Sequence, residues 1–140
     1  MIVILDTNVL VQAIIGSPTA ASARALRAYR DRKYQIGFSL ETLGELEAVL
    51  SMPTIAARHG WSVELFREFY EFLTANWLLA SPATKVSASV PRDVTDTKFL
   101  ALADEVSANF LVTNDRRHLL RLGRHGKTEI VTPAAFLRRL

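Results

Sequence analysis

The order of apolar and polar positions along the 140 residues predicts short strands that alternate with helices. Residues 2–5 form a continuous apolar run that ends at Asp6, and such runs are typical of strands buried on both faces of a parallel sheet. Helical periodicity follows in several longer segments. The predicted strands are residues 2–5, 34–38, 78–80, 110–113 and 129–132, and the predicted helices are residues 9–15, 20–33, 40–50, a short one up to Arg58, one that follows Ser62, 96–108, 116–122 and a last one from Pro133.

This alternation predicts an α/β architecture with a parallel sheet. The length suits one domain, so residues 1–140 are taken as a single domain. The first residues lack the basic stretch of a signal peptide, and the apolar run there is short. No apolar run approaches the roughly 20 residues of a membrane helix. The sequence therefore predicts a cytoplasmic protein with no membrane partner.

Composition adds two constraints on the chemistry. The chain has no cysteine, which excludes thiol catalysis and cysteine-based zinc sites. Lys and Arg total 17 against 14 Asp and Glu, a net charge of +3, which is a weak indication of a polyanionic partner. If several carboxylates gather around one metal ion, the remaining surface is more strongly basic. That distribution would suit a metalloenzyme that acts on phosphate backbones.

Four acidic residues are predicted to meet at one edge of the sheet. Asp6 directly follows the first predicted strand and Asp115 follows a later one, and ligands of open parallel sheets bind at the carboxyl ends of the strands. Asp96 begins a helix that runs antiparallel to the strands, so the start of that helix lies at the same edge. Glu45 lies in the first half of the helix that follows the second strand.

Clustered carboxylates repel one another, and a bound divalent cation is the usual resolution. Oxygen ligands favour Mg²⁺ or Mn²⁺, and such a site can activate water against a phosphodiester without a protein nucleophile. Each acid also has a plain structural interpretation, so the convergence, rather than any single residue, favours a metal site. The structural interpretations are a helix cap for Asp6, a helix-dipole contact for Asp96, a turn for Asp115, a solvated side chain for Glu45 and an N-cap for Asp93.

Four segments of the chain are similar to motifs of a known family. They are Leu-Asp-Thr-Asn-Val at 5–9, Glu-Leu-Glu-Ala-Val-Leu at 45–50, Arg-Asp-Val-Thr-Asp at 92–96 followed by Phe-Leu-Ala-Leu-Ala at 99–103, and Val-Thr-Asn-Asp at 112–115. In this order they resemble the PIN-domain nucleases and, among these, the VapC-type toxins of toxin–antitoxin pairs. The resemblance spans nearly the whole chain, and its specificity comes from the order of the motifs, because each motif alone is weak.

The resemblance implies a three-layer α/β/α sandwich with a central parallel sheet. It also implies a Mg²⁺- or Mn²⁺-dependent endoribonuclease with an RNA substrate, an antitoxin protein as partner, and a homodimer or higher oligomer. The family motifs assign catalysis and metal binding to Asp6, Glu45, Asp96 and Asp115. They select Glu45 rather than Glu47 as the ligand on its helix, a choice that periodicity alone leaves open.

Supporting polar and basic residues complete the predicted site. Asn8 and Thr113 match polar positions that hold the carboxylates in the family, and Asp93 is a further supporting candidate. Arg117 stands where many relatives carry another acid, and Asn114 stands where glycine is common. The first of these departures leaves open whether one or two metal ions bind. Contacts to RNA phosphates are predicted for the basic residues that follow the last acid, namely Arg116, Arg117 and Arg121.

Three other interpretations stay open at this stage. A phosphatase with an aspartyl nucleophile would need a second acid two residues after Asp6, where the chain has Asn8. A receiver-like phosphoacceptor signalling domain would need a lysine after a late strand, where residues 132–134 read Thr-Pro-Ala. A catalytically silent PIN domain that serves as a binding scaffold would not need all four acids. The nuclease interpretation is therefore preferred.

Overall fold

The structure is a computed structural model that describes residues 1–80 and 94–140, without the side chains of residues 94–96. Each strand predicted from an apolar run is present, with bounds that differ by a residue or less at most ends. In chain order the elements are β1 (Ile2–Leu5), α1 (Thr7–Ile15), α2 (Ala21–Arg30), β2 (Gln35–Phe38), α3 (Leu40–Leu50), α4 (Pro53–His59), α5 (Val63–Thr74), β3 (Trp77–Leu79), α6 (Val94–Val106), β4 (Phe110–Val112), α7 (Leu119–Leu122), β5 (Arg124–His125), β6 (Thr128–Val131) and α8 (Pro133–Leu137).

The strands of the described residues form one sheet in the order β3-β2-β1-β4-β6-β5. Every pair of neighbours from β3 to β6 in this order runs parallel. Leu5 at the end of β1 lies opposite Val112 at the end of β4. Because the carboxyl ends of parallel strands share an edge, Asp6 and Thr113 leave the sheet side by side.

Helices cover both faces of the sheet, as the alternation of side chains along β1 requires. Val3 and Leu5 pack in one core with residues of α1, α2, α3, α5 and α8. Ile4 points to the opposite face, where it packs with residues of α6 and α7. The expected three-layer α/β/α sandwich is therefore confirmed. No helix within residues 1–80 and 94–140 is long and apolar enough to span a membrane.

The sheet has an antiparallel edge that the sequence pattern did not predict. β5 pairs antiparallel with β6, and His125 lies opposite Thr128. Gly126 connects the two strands with a φ of 58°, in the left-handed region that glycine adopts at little cost. The central strands are parallel as expected. The edge strand was missed because β5 is only two residues long, which is too short to show a periodic pattern.

Two helices at the carboxyl edge of the sheet begin at different residues from those predicted. α1 begins at Thr7, before the predicted start. The prediction placed the start later because the first turn contains polar residues that do not continue the apolar pattern. α7 begins at Leu119, later than the predicted residue 116. The N–H of Arg117 donates a hydrogen bond to the Asp115 carboxylate, so a turn stabilised by this side chain comes before the helix.

Candidate active site

Asp6 lies at the carboxyl end of β1, where its N–H still donates to the carbonyl of Val112 on β4. Its residue is only 6 % exposed, and the Thr113 hydroxyl donates to its Oδ2 atom at 2.6 Å. Asp6 occupies the N-cap position of α1, but its side chain makes no capping hydrogen bond. The helix-cap interpretation therefore explains its backbone position and not its carboxylate, which is held toward the end of β4.

Burial raises the pKa of the Asp6 carboxyl above its ordinary value, and the negative charges of Glu45 and Asp115 raise the pKa further. The hydrogen bond from Thr113 acts in the opposite direction, as does the nearby N–H of Asn8, which favours the charged form without forming a capping bond. The pKa of a group rises when its charged form is poorly solvated or faces like charges. Glu45 and Asp115 are thus both close enough to act on the Asp6 carboxyl.

Thr113 connects the Asp6 carboxylate with the backbone of Asp115 through a single hydroxyl group. The N–H of Asp115 donates to the Thr113 Oγ1 atom at 3.0 Å, while the hydroxyl proton points to Asp6. The Asp115 carboxylate also accepts hydrogen bonds from the N–H groups of Arg117 at 3.2 Å and Leu119 at 3.4 Å. The turn interpretation of Asp115 is therefore correct as local structure, and the turn fixes this carboxylate beside Asp6.

Glu45 reaches the same edge of the sheet from α3. The Thr7 hydroxyl donates to its Oε2 atom at 2.6 Å, and the Lys98 ammonium of α6 lies 2.8 Å from its Oε1 atom. α3 begins with a capping box formed by Ser39 and Thr42, which fixes the start of the helix that positions Glu45. Glu45 is therefore fixed at both carboxylate oxygens and is not simply solvated.

Lys98, whose ammonium pairs with Glu45, was not predicted as a site residue from the sequence. Its side chain is only 11 % exposed. A signal for it exists in the helical spacing, because Lys98 lies four residues before the fully inward Leu102 and beside the buried Phe99. A lysine on the apolar side of a helix needs an acidic partner. The sequence alone does not reveal which acid provides it.

The remaining predicted residues have different outcomes. Asn8 is exposed, and its contribution to Asp6 comes from its backbone N–H rather than from its side chain. Asp96 is the third residue of α6, but its side chain is not described, and Asp93 lies outside the described residues. The three arginines predicted to contact RNA have exposed side chains, and they are Arg116, Arg117 and Arg121.

The chemistry of the donor set fits a hard divalent cation. Asp6, Glu45 and Asp115 offer carboxylate oxygens, which Mg²⁺ and Mn²⁺ prefer, and their mutual repulsion would fall if a cation lay between them. Among the side chains that the structure describes, no three acidic or histidine groups form a preassembled metal cage. The site therefore consists of three converging acids, with the fourth predicted ligand, Asp96, on the adjacent helix start.

Comparison with known proteins identifies one family. A family model described as PIN domain matches residues 2–117. This range includes the three converging acids, Thr113, and the start of α6. No curated protein and no solved structure matches the chain.

Proposed function

The chain belongs to the PIN-domain family, and from this premise we propose that it is a metal-dependent endoribonuclease that hydrolyses RNA phosphodiester bonds. PIN domains are generally nucleases and typically use divalent metal ions. The observation that supports the proposal most directly is the Asp6 carboxylate. It is buried, its pKa is raised, and Glu45 and Asp115 act on it from the same edge of the sheet. Perturbed carboxylates of this kind are concentrated at functional sites.

In the proposed reaction Asp6, Glu45 and Asp115 would hold the ion, with Asp96 as the further ligand that the family motif gives. When bound, the ion would supply the positive charge that activates water and offsets the charge that develops on the phosphate. Thr113 holds the Asp6 carboxylate beside the backbone of Asp115, because its hydroxyl donates to that carboxylate and accepts from the Asp115 N–H. Thr7 orients the third carboxylate by donating a hydrogen bond to one of its oxygens.

The finer parts of the proposal are the RNA substrate and the toxin role. Both depend on the resemblance of the four motifs to those of VapC-type toxins, and the same resemblance adds an antitoxin partner and a homodimer or higher oligomer. A sequence pI of about 9.6 agrees with a polyanionic substrate. If the chain is a toxin, its expression in a bacterial host should arrest growth, and co-expression of its antitoxin should relieve the arrest.

Metal removal tests the proposed chemistry. The purified chain is incubated with an end-labelled single-stranded RNA and with a DNA of the same sequence, in Mn²⁺, in Mg²⁺ and in EDTA. We expect internal cleavage of the RNA with either ion, no cleavage in EDTA, and recovery when Mn²⁺ is added in excess over the chelator. Cleavage that persists in EDTA would disprove the metal mechanism. Preferential cleavage of the DNA would disprove the substrate assignment, and inactivity with every ion would favour the silent scaffold.

A further inference from the structure

A cavity of about 590 Å³ lies beside the carboxylates at the same edge of the sheet. The residues that line it are Asn8 in the first turn of α1, Asn114 and Arg116 in the segment after β4, and residues at the starts of α2 and α8. No acidic side chain within the described residues lines this cavity. The edge of the sheet therefore has two adjoining parts, an acidic cluster and a cavity that offers hydrogen-bond donors but no described acidic side chain, which we call the donor cavity.

Ser22 provides a donor that the fold itself does not use. Its residue is 6 % exposed and lines the donor cavity, and its hydroxyl makes no hydrogen bond to any part of the chain that the structure describes. The hydroxyl oxygen is accessible from the cavity rather than sealed in the interior, so it can donate a hydrogen bond to a group that enters the cavity. A ligand in the cavity that accepts a hydrogen bond would supply the missing partner.

The start of α2 adds backbone donors at the same place. The N-cap residue is Ala20, which has no side-chain acceptor, and the first turn of this ten-residue helix contains no acidic residue. The first N–H groups of a helix have no partner within the helix, and together with the helix dipole they favour an anion. Arg116 also lines this cavity, and a guanidinium matches phosphate geometry well.

We infer that the donor cavity binds a backbone phosphate of the nucleic-acid strand, next to the phosphodiester that lies at the carboxylates. The inference is built on the proposed function, because it places a second phosphate of the same substrate. The absence of acidic lining residues and the presence of Ser22, the start of α2 and Arg116 all favour a single negative charge. The volume is within the range of about 300–1,000 Å³ that is usual for small-ligand sites, so a nucleotide unit can enter.

Binding without cleavage tests this inference. The probe is a fluorescein-labelled single-stranded 2′-O-methyl RNA, and its anisotropy is measured in EDTA over a series of salt concentrations. For Arg116→Ala we expect weaker binding and a slope of log K against log salt that is shallower by about 0.7, as for the loss of one phosphate contact on a single strand. For Ala20→Asp we expect weaker binding together with an unchanged or higher melting temperature, because aspartate is a good N-cap but repels phosphate.

Arg30→Ala is the matched control, because it changes the net charge by the same amount at the opposite end of α2, where Arg30 pairs with Asp31 at 3.5 Å. It should leave the slope unchanged. If Arg30→Ala weakened probe binding as much as Arg116→Ala does, the effect would come from overall positive charge rather than from a defined site. If Ala20→Asp bound the probe as tightly as the unaltered chain, the start of α2 would not be part of a phosphate site. No binding of the probe by the unaltered chain at low salt would also overturn the inference.

The outcome is separable from that of the proposed function. If the chain cleaves no RNA with any ion but shows these binding effects, the donor cavity stands as a phosphate site and the nuclease proposal fails. If the chain cleaves RNA but both variants bind the probe normally, the nuclease proposal stands and the donor cavity has no phosphate role. A probe in which neutral methylphosphonates replace the phosphodiesters should bind weakly, and equally well to the chain and to both variants.

Discussion

Two acidic regions of the molecule hold their negative charge in opposite ways. Glu129 on β6 pairs with two arginines, with Arg139 through two hydrogen bonds of 2.8 and 3.0 Å and with Arg124 at 3.2 Å. These arginines, Arg139 first, hold the pKa of Glu129 below its ordinary value. Asp6 at the end of β1 is paired with a neutral hydroxyl and faces two further acids, and burial holds its pKa above the ordinary value.

The Glu129 carboxylate stabilises the fold, whereas the Asp6 carboxylate lowers its stability. The charge of Glu129 is fully compensated within the chain, at a position where solvent also screens it. The charge of Asp6 is buried and opposed by its neighbours, an arrangement that selection for stability alone would remove. Sites that violate local electrostatic rules in this way are typically functional. The predictions below compare these two kinds of carboxylate.

The largest expected effect distinguishes Asp6 from Glu129 in catalysis. Asp6→Asn keeps the size of the side chain and removes its charge, so Mn²⁺-dependent RNA cleavage should fall by about 10²-fold or more, as when one electrostatic stabiliser is lost. Glu129→Gln should change the cleavage rate by no more than a few-fold, as expected for a surface substitution. Initial rates under equal conditions give both values. Comparable losses in the two variants would show that the acidic cluster has no special role.

The same contrast exists within α3, between Glu45 and Glu47. Glu45 is held by Thr7 and Lys98, whereas Glu47 is exposed and its charge acts on Tyr70, whose pKa burial and this charge raise to about 12. The two glutamates therefore lie on different sides of the helix. Glu45→Gln should lower the cleavage rate and weaken Mn²⁺ binding, measured by calorimetry. Glu47→Gln should leave both within a few-fold, and a larger loss from it would reverse the assignment.

The sequence predicted the position of this site because topology determines it. A parallel sheet brings the carboxyl ends of β1 and β4 together, so Asp6 and Asp115 had to meet once both strands were recognised. Glu45 is different, since periodicity placed it and Glu47 equally near the apolar side of the helix. Only the resemblance to the family separated the two, and the choice of Glu45 stays a prediction.

What the sequence could not predict depends on side-chain direction and on partners distant along the chain. Lys98 approaches Glu45 across 53 positions of the chain, and no local pattern encodes that meeting. Asn8 was predicted to act through its side chain, but only its N–H lies near Asp6. The short strand β5 follows from pairing with β6 rather than from its own two residues.

Lys98 gives a prediction of intermediate size. Lys98→Met removes the ammonium that pairs with Glu45 in a mostly buried environment, so the free energy of unfolding in EDTA should fall by about 1–3 kcal/mol, between the values for surface and buried pairs. Mn²⁺ should stabilise this variant more than the unaltered chain, because it replaces the missing positive charge. Denaturant melts with and without Mn²⁺ measure both effects. Lys33→Met, an exposed lysine, is the matched control and should show neither effect.

The smallest expected effect is an opposite pH dependence of stability at Asp6 and Glu129. The pKa of Asp6 in the folded chain lies above its ordinary value of 3.8, so the folded state binds a proton more tightly than the unfolded state, and stability falls as pH rises through this interval. The pKa of Glu129 lies below its ordinary value of 4.5, so the contribution of Glu129 to stability is present above pH 4.5 and is lost as pH falls below it.

In EDTA, the melting temperature of Asp6→Asn relative to the unaltered chain should therefore increase as pH rises above 3.8, until Asp6 is fully charged. Any advantage of the unaltered chain over Glu129→Gln should instead shrink as the pH falls below 4.5. If the relative stability of Asp6→Asn decreased with rising pH, the buried carboxylate would be compensated as Glu129 is, and the contrast between the two regions would not exist.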